Sequence, residues 1–123
     1  MAAPNLIGAT TINGKTAGTA LSTTSATSVL SNASASGKVL KVNTLNVANT
    51  TGTAASITIS YYSAAAIGGT AYAIVGSVTV PANSTLNVID KTSQYYLAED
   101  SSIGATAGTS NALVVTVSYE DIS

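Results

Sequence analysis

The chain has no cysteine, histidine, tryptophan, phenylalanine or arginine. Each absence removes a chemistry. Without cysteine there is no thiolate nucleophile, no disulfide framework and no Cys/His zinc site, and without histidine no imidazole base poised near neutral pH. Arginine is the side chain that forks onto base edges and clamps phosphates, and the four cations here are all lysines. Charged residues make up 7% of the 123 positions and the net charge is −1, so no basic field invites nucleic acid or acidic lipid. No catalytic residue, metal site or cofactor is expected, and the chain is read as a non-enzyme.

Export and membrane signals are also missing. No lysine precedes Lys15, and the first residues contain no apolar run of the length a signal peptide needs. The nearly apolar stretch 64–75 is broken by Gly68, Gly69 and Thr70, well short of the roughly 20 residues that span a bilayer. The expectation is a protein made in the cytoplasm without a signal peptide. Its Ser/Thr/Ala-rich character is otherwise that of extracellular surface proteins, a combination that fits a virus particle assembled in the cytosol and released by lysis.

What is present is small. Ala, Thr, Ser, Gly and Asn account for 76 of 123 residues, and no amphipathic helical stripe emerges from them. Period two recurs instead. Ile57, Ile59 and Tyr61 alternate with Ser56, Thr58 and Ser60; Val78 and Val80 alternate with Ser77 and Thr79; Leu113, Val115, Val117 and Tyr119 share a face opposite Thr116, Ser118 and Glu120. In 38–49 the apolar phase changes from even (Leu40, Val42) to odd (Leu45, Val47), which predicts a β-bulge or a bend near Asn43-Thr44. Asn13-Gly14 predicts a type I′ hairpin turn, and Pro81-Ala82-Asn83-Ser84 predicts the end of a strand at Val80. Strands are expected near 9–12, 15–21, 26–31, 38–48, 55–62, 71–80, 85–90, 94–98, 102–107 and 112–119. That spacing argues one all-β domain, an antiparallel β-sandwich or jelly roll. Residues 25–123 are assigned to the sandwich, and 1–24 to an N-terminal arm or hairpin.

Chemical motifs are few. Gly14-Lys15-Thr16 ends like a phosphate-binding loop, yet Gly8 lies six residues before Gly14 instead of five, and Ala17-Gly18-Thr19 is a poor helix start. Glu99-Asp100, Glu120-Asp121 and Asp90 lack the Asp-x-Asp-x-Asp-Gly spacing of a calcium loop and are read as solvated turn acids. Asn32, Asn49 and Asn83 each begin an Asn-x-Ser/Thr triplet, which chance supplies in a chain so rich in those residues. Tyr61-Tyr62 and Tyr95-Tyr96 are adjacent pairs, and neighbours on a strand face opposite ways. Tyr61 is in phase with Ile57 and Ile59, and Tyr95 with Leu97, so Tyr62 and Tyr96 should point outward. They are either interface residues, ordinary exposed tyrosines, or covered by a second sheet. Leu6, Ile7 and Ile12 of the N-terminal segment complete the interface candidates.

The order of several segments carries a resemblance. It runs through Gly37-Lys38, Val47-Ala48-Asn49, the turn 50–53, the alternating strand 57–61, Val80-Pro81-Ala82-Asn83-Ser84-Thr85-Leu86, the acidic turn in 97–103 and the Val-rich strand 113–122. Over residues 25–123, about four fifths of the chain, this order resembles small β-sandwich virion proteins of tailed bacteriophages, most closely those of marine cyanophages. Glu99-Asp100-Ser101 stands where Gly-Asp is usual in such proteins, which leaves the turn type open. The resemblance implies a structural role in the virion: a head decoration (cement) protein bound to the major capsid protein or other virion subunits, or alternatively a tail, baseplate or fibre component, including a receptor- or glycan-binding module. Small side chains and few aromatics imply a modest core, so a homo-oligomer, with a trimer favoured, is expected to add stability.

Overall fold

The computed structural model of the chain describes residues 8–90 and 92–123. Its strands are β1 (Ile12–Leu21), β2 (Thr27–Asn32), β3 (Val39–Asn49), β4 (Ala55–Ala64), β5 (Gly68–Val80), β6 (Thr85–Ile89), β7 (Tyr95–Leu97), β8 (Ser101–Ala107) and β9 (Leu113–Ile122). One sheet runs β1-β9-β3-β6, with β7 also paired to β3, and the other runs β2-β8-β4-β5. All ladders are antiparallel. The pairs nest: β1 with β9, β2 with β8, β3 with β6 and β7, β4 with β5. The chain is thus one long hairpin rolled so that its successive ladders fall in alternate sheets, the eight-stranded jelly-roll order with β7 as an addition. Between the sheets lies an aliphatic core that includes Leu21, Val42, Leu45, Val47, Ile57, Ile59, Ile89, Ile103, Leu113, Val115 and Val117. The expected all-β sandwich is what the chain forms.

The phase change in β3 is a bulge. Val42 pairs with Tyr119 and Thr44 with Ser118, so Asn43 is the extra residue and the inward face passes from even to odd positions. Asn43 holds the bulge through its side chain, donating to Glu120 Oε2 (3.1 Å) and accepting from Gln94 Nε2 (3.1 Å).

The N-terminal segment departs from expectation. Asn13-Gly14 is not a turn; it lies inside β1, where Asn13 pairs with Asp121 and Gly14 with Glu120. The two short strands and hairpin expected over 9–21 are one edge strand of the sandwich's own sheet. Pairing extends past it, since the amides of Thr10 and Thr11 donate to Ser123 O and Ser123 N donates to Thr11 O, each at 2.9 Å. A ten-residue ladder outweighs a two-residue turn preference, because each added ladder bond satisfies backbone groups that a hairpin would leave on a free edge. Leu6 and Ile7 lie outside the described residues.

Two buried asparagines close opposite corners. Asn49, at the end of β3, donates its amide to Thr53 O (2.8 Å) and to Val80 O at the end of β5 (3.1 Å), while its carbonyl accepts from Thr51 N (3.0 Å) and Thr51 Oγ1 (2.8 Å). Asn32, at the end of β2, donates to Lys38 O (2.9 Å) and to Leu97 O of β7 (3.0 Å) and accepts from Ser36 Oγ. Each amide ties one sheet to a strand of the other.

The β4–β5 connection is held in an uncommon conformation. Ala66 (φ 54°) and the β-branched Ile67 (φ 52°) both sit in the left-handed region. Three successive amides anchor them: Ala65 N donates to Asp100 Oδ1 (3.0 Å), Ala66 N to Ser31 Oγ (2.9 Å) and Ile67 N to Ser102 Oγ (2.9 Å). This fold-back lays Ile67 and Tyr62 over Gly104 of β8. A Cβ at Gly104 would stand 2.7 Å from Ile67 Cγ2 and 2.8 Å from Tyr62 Cε1. Gly104→Ala should therefore lower stability by about 1–3 kcal/mol through overpacking. Gly52→Ala, where the added methyl meets nothing within 4 Å, should stay within about 0.5 kcal/mol; paired urea titrations check the contrast.

Candidate functional site

Four of the six tyrosines meet on one flank of the sandwich. Tyr61 of β4 pairs in register with Tyr72 of the edge strand β5, their ring centroids 6.3 Å apart and tilted by 32°. Tyr95 and Tyr96 come from β7, in the other sheet, opposite Val42 and Lys41 of β3. With Ala73 and Ile74 they line an open cleft of about 430 Å³ between the free edges of the two sheets. Tyr72 and Tyr96 stand out from it at 57% and 51% exposure. A register shift in β5 between the partners of Ile59 and Ser60 inserts Ile74 as an extra residue beside the tyrosines. Tyrosines suit such a half-wet site, since each offers an apolar ring and a hydroxyl that needs a polar partner.

A second, polar opening of about 300 Å³ lies between β1, β2 and β9, with Lys15, Lys38, Tyr119, Asn32 and Asp121 among its walls. Asp121 is not a solvated turn acid: it lies in β9, its side chain 8% exposed, and its Oδ2 accepts from Lys15 Nζ (2.9 Å) and Lys38 Nζ (3.2 Å). One carboxylate thus ties β1 to Lys38, the residue just before β3, across β9. Burial pushes its carboxyl up, but the hydrogen bonds and charges of the two lysines overcome this and hold it below the usual carboxylate range. The same hydrogen bond holds the Lys15 ammonium above its ordinary value. A carboxyl depressed in the folded state adds stability that is complete above its unfolded value, near 3.9, and disappears as pH falls through the lower folded value. The urea midpoint should accordingly fall below about pH 4, and Asp121→Asn should flatten that acid limb. Glu120, the neighbouring acid, lies in β9 as well, 3.9 Å from Lys41 Nζ.

Two of the edge strands, β5 and β1, are long and nearly uncharged. β5 contains no charged residue in thirteen positions and is exposed over most of its length; β1 contains Lys15 alone. Charge is the usual guard against edge-to-edge pairing, and on β5 only its bulges against β4 interrupt the edge. Val78 of β5 is 39% exposed and Ile12 at the start of β1 is 59% exposed.

No family model and no curated protein matches the chain. Among the described residues no helix is long and apolar enough to cross a membrane, and no three or more His, Cys, Asp or Glu side chains gather as metal ligands.

Of the residues singled out in the sequence, Tyr96 and Ile12 are exposed. Tyr62 faces outward but is half-buried against Gly104, which makes it an intramolecular cover. Tyr61, Tyr72 and Tyr95 belong with Tyr96 in the cleft; Tyr61 and Tyr95 read from sequence as inward core residues, and Tyr72 carried no signal because its neighbours Ala71 and Ala73 show no alternation. Asn49 is buried with both amide protons bonded, so its Asn-x-Thr triplet is no acceptor for glycosylation in the folded state.

Proposed function

We propose that the chain is a non-enzymatic structural protein of a bacteriophage particle, a decoration (cement) protein that binds the assembled head beside the major capsid protein. The observation that carries this reading is the unguarded edge strand β5: thirteen uncharged residues with free backbone groups favour lateral contact with another subunit through main-chain hydrogen bonds and small side chains. The jelly-roll order, which viral coat domains use widely, and the resemblance over 25–123 support it. A homo-oligomer, with a trimer favoured, and residence in the virion follow from the same reading.

Quantifying the protein in purified particles tests the proposal. Copy number comparable to that of the major capsid protein is the expected result, and a few copies per particle would assign the chain to the tail, baseplate or fibre instead. Val78→Lys adds a charge to the free edge at an exposed position. It should leave the urea midpoint unchanged and abolish binding to particles; retained binding would remove β5 as the contact.

A further inference from the structure

We infer that the tyrosine cleft between β5 and β7 is a binding site for a neutral saccharide, an inference independent of which particle component the protein is. Its lining is the first ground. Tyr61, Tyr72, Tyr95 and Tyr96 surround it with Ala73 and Ile74, and none of the six is charged. A phosphate or carboxylate would find no cation among them, and Lys41, opposite Tyr96 in the ladder, already lies 3.9 Å from Glu120 Oε2; burying an unpaired anion there would be costly. The second ground is the state of the phenols. Among the described residues no hydrogen bond uses a hydroxyl of these four tyrosines, so toward those residues each phenol has a donor and an acceptor to offer a ligand.

Flat rings and free hydroxyls together fit a pyranose. Its apolar C–H face stacks on an aromatic ring, while the hydroxyls at its rim reach phenol oxygens and water. The tilt of 32° between Tyr61 and Tyr72 sets two ring faces at an angle, and Tyr95 and Tyr96 supply the opposite wall. At about 430 Å³ the cleft falls in the range of small-molecule sites and holds one or two sugar rings. It is open to solvent, which suits a ligand that keeps part of its hydration; a wholly apolar ligand would need an enclosed pocket. An extended peptide would need a longer track lined by backbone donors and acceptors, whereas the six lining residues form a compact bowl.

The absence of tryptophan makes the test direct, because ultraviolet emission comes from six tyrosines and four of them line the cleft. The full chain is titrated with neutral hexoses, N-acetylhexosamines and their disaccharides at millimolar concentration. Tyrosine emission is recorded together with saturation-transfer NMR on the sugar protons. At least one saccharide should give a saturable emission change and transfer to its C–H protons. Tyr72→Ala and Tyr96→Ala should each weaken that binding tenfold or more, with thermal midpoints unchanged because both side chains are more than half exposed. Tyr72→Phe and Tyr96→Phe, which keep the ring and lose the hydroxyl, should weaken it less. Tyr62→Ala, outside the cleft, should leave it intact. The inference is overturned if no saccharide in the panel gives a saturable response, if binding survives both alanine variants, or if a proline-rich peptide produces the response and the sugars do not. Particle binding by Tyr72→Ala is measured alongside, so that loss of the saccharide site and loss of the decoration role give separate readouts.

Discussion

Asn49→Ala should lower the unfolding free energy by about 2–3 kcal/mol, because the truncation strands the buried Val80 O, which accepts from no other side chain among the described residues. Val80 O and Thr53 O lose the amide that joins the end of β3 to the end of β5, and Thr51 N loses its acceptor. An unmade buried hydrogen bond costs more than a made one contributes, since desolvation is no longer offset. Asn87→Ala in β6, at an exposed position, removes the same group and should change stability by no more than about 0.5 kcal/mol. Urea titrations of the two variants, compared at constant m, measure the difference. Equal effects would show that the corner contact carries no special weight.

The second large effect is expected in the core. Ile59 of β4 is fully buried, flanked on one side by β8 through Ala105 and on the other by β5 through Val75. Ile59→Ala should cost about 4 kcal/mol and Ile59→Val about 1 kcal/mol. The larger value lies toward the upper end of such substitutions because the surrounding core is made of short aliphatic chains and alanines, with no phenylalanine or tryptophan to swing into the gap. Since stabilities of small domains are commonly about 5–15 kcal/mol, the alanine variant should sit near the edge of folding. A change in the urea midpoint at unchanged m would confirm loss of stability rather than a shift in the unfolded ensemble.

Much of this architecture is legible along the chain. Alternation in 55–61 and 113–119 marks β4 and β9, and the swap from Leu40/Val42 to Leu45/Val47 marks the bulge at Asn43, because each rests on neighbours within a few residues. The misreadings share a different cause. Asn13-Gly14 has local turn chemistry, yet its conformation is decided by Glu120 and Asp121, more than a hundred positions away. Asp121 likewise looks like a solvated turn acid until β1 and the residue preceding β3 bring Lys15 and Lys38 to the same oxygen. The tyrosine cleft draws on three strands from both sheets, and no spacing in one strand announces that meeting. Leu86 and Val88 of β6 both pack against the core, and the shift opposite Leu45 and Asn46 adds the fully buried Ile89 to them, a position no alternation marks.

The place of β9 between β1 and β3 also dictates a timetable. It is synthesised after both of its neighbours, so during translation those strands have their hydrogen-bonding edges prepared for a partner that does not yet exist. The first sheet is then a gap with two sides, and its closure must wait for the nested outer ladders, which join residues far apart in sequence. Refolding from urea should consequently take milliseconds to seconds, not microseconds. Until β9 arrives, a β9 segment from a neighbouring nascent chain could occupy the same slot, so crowding on one messenger favours exchange of this strand between copies.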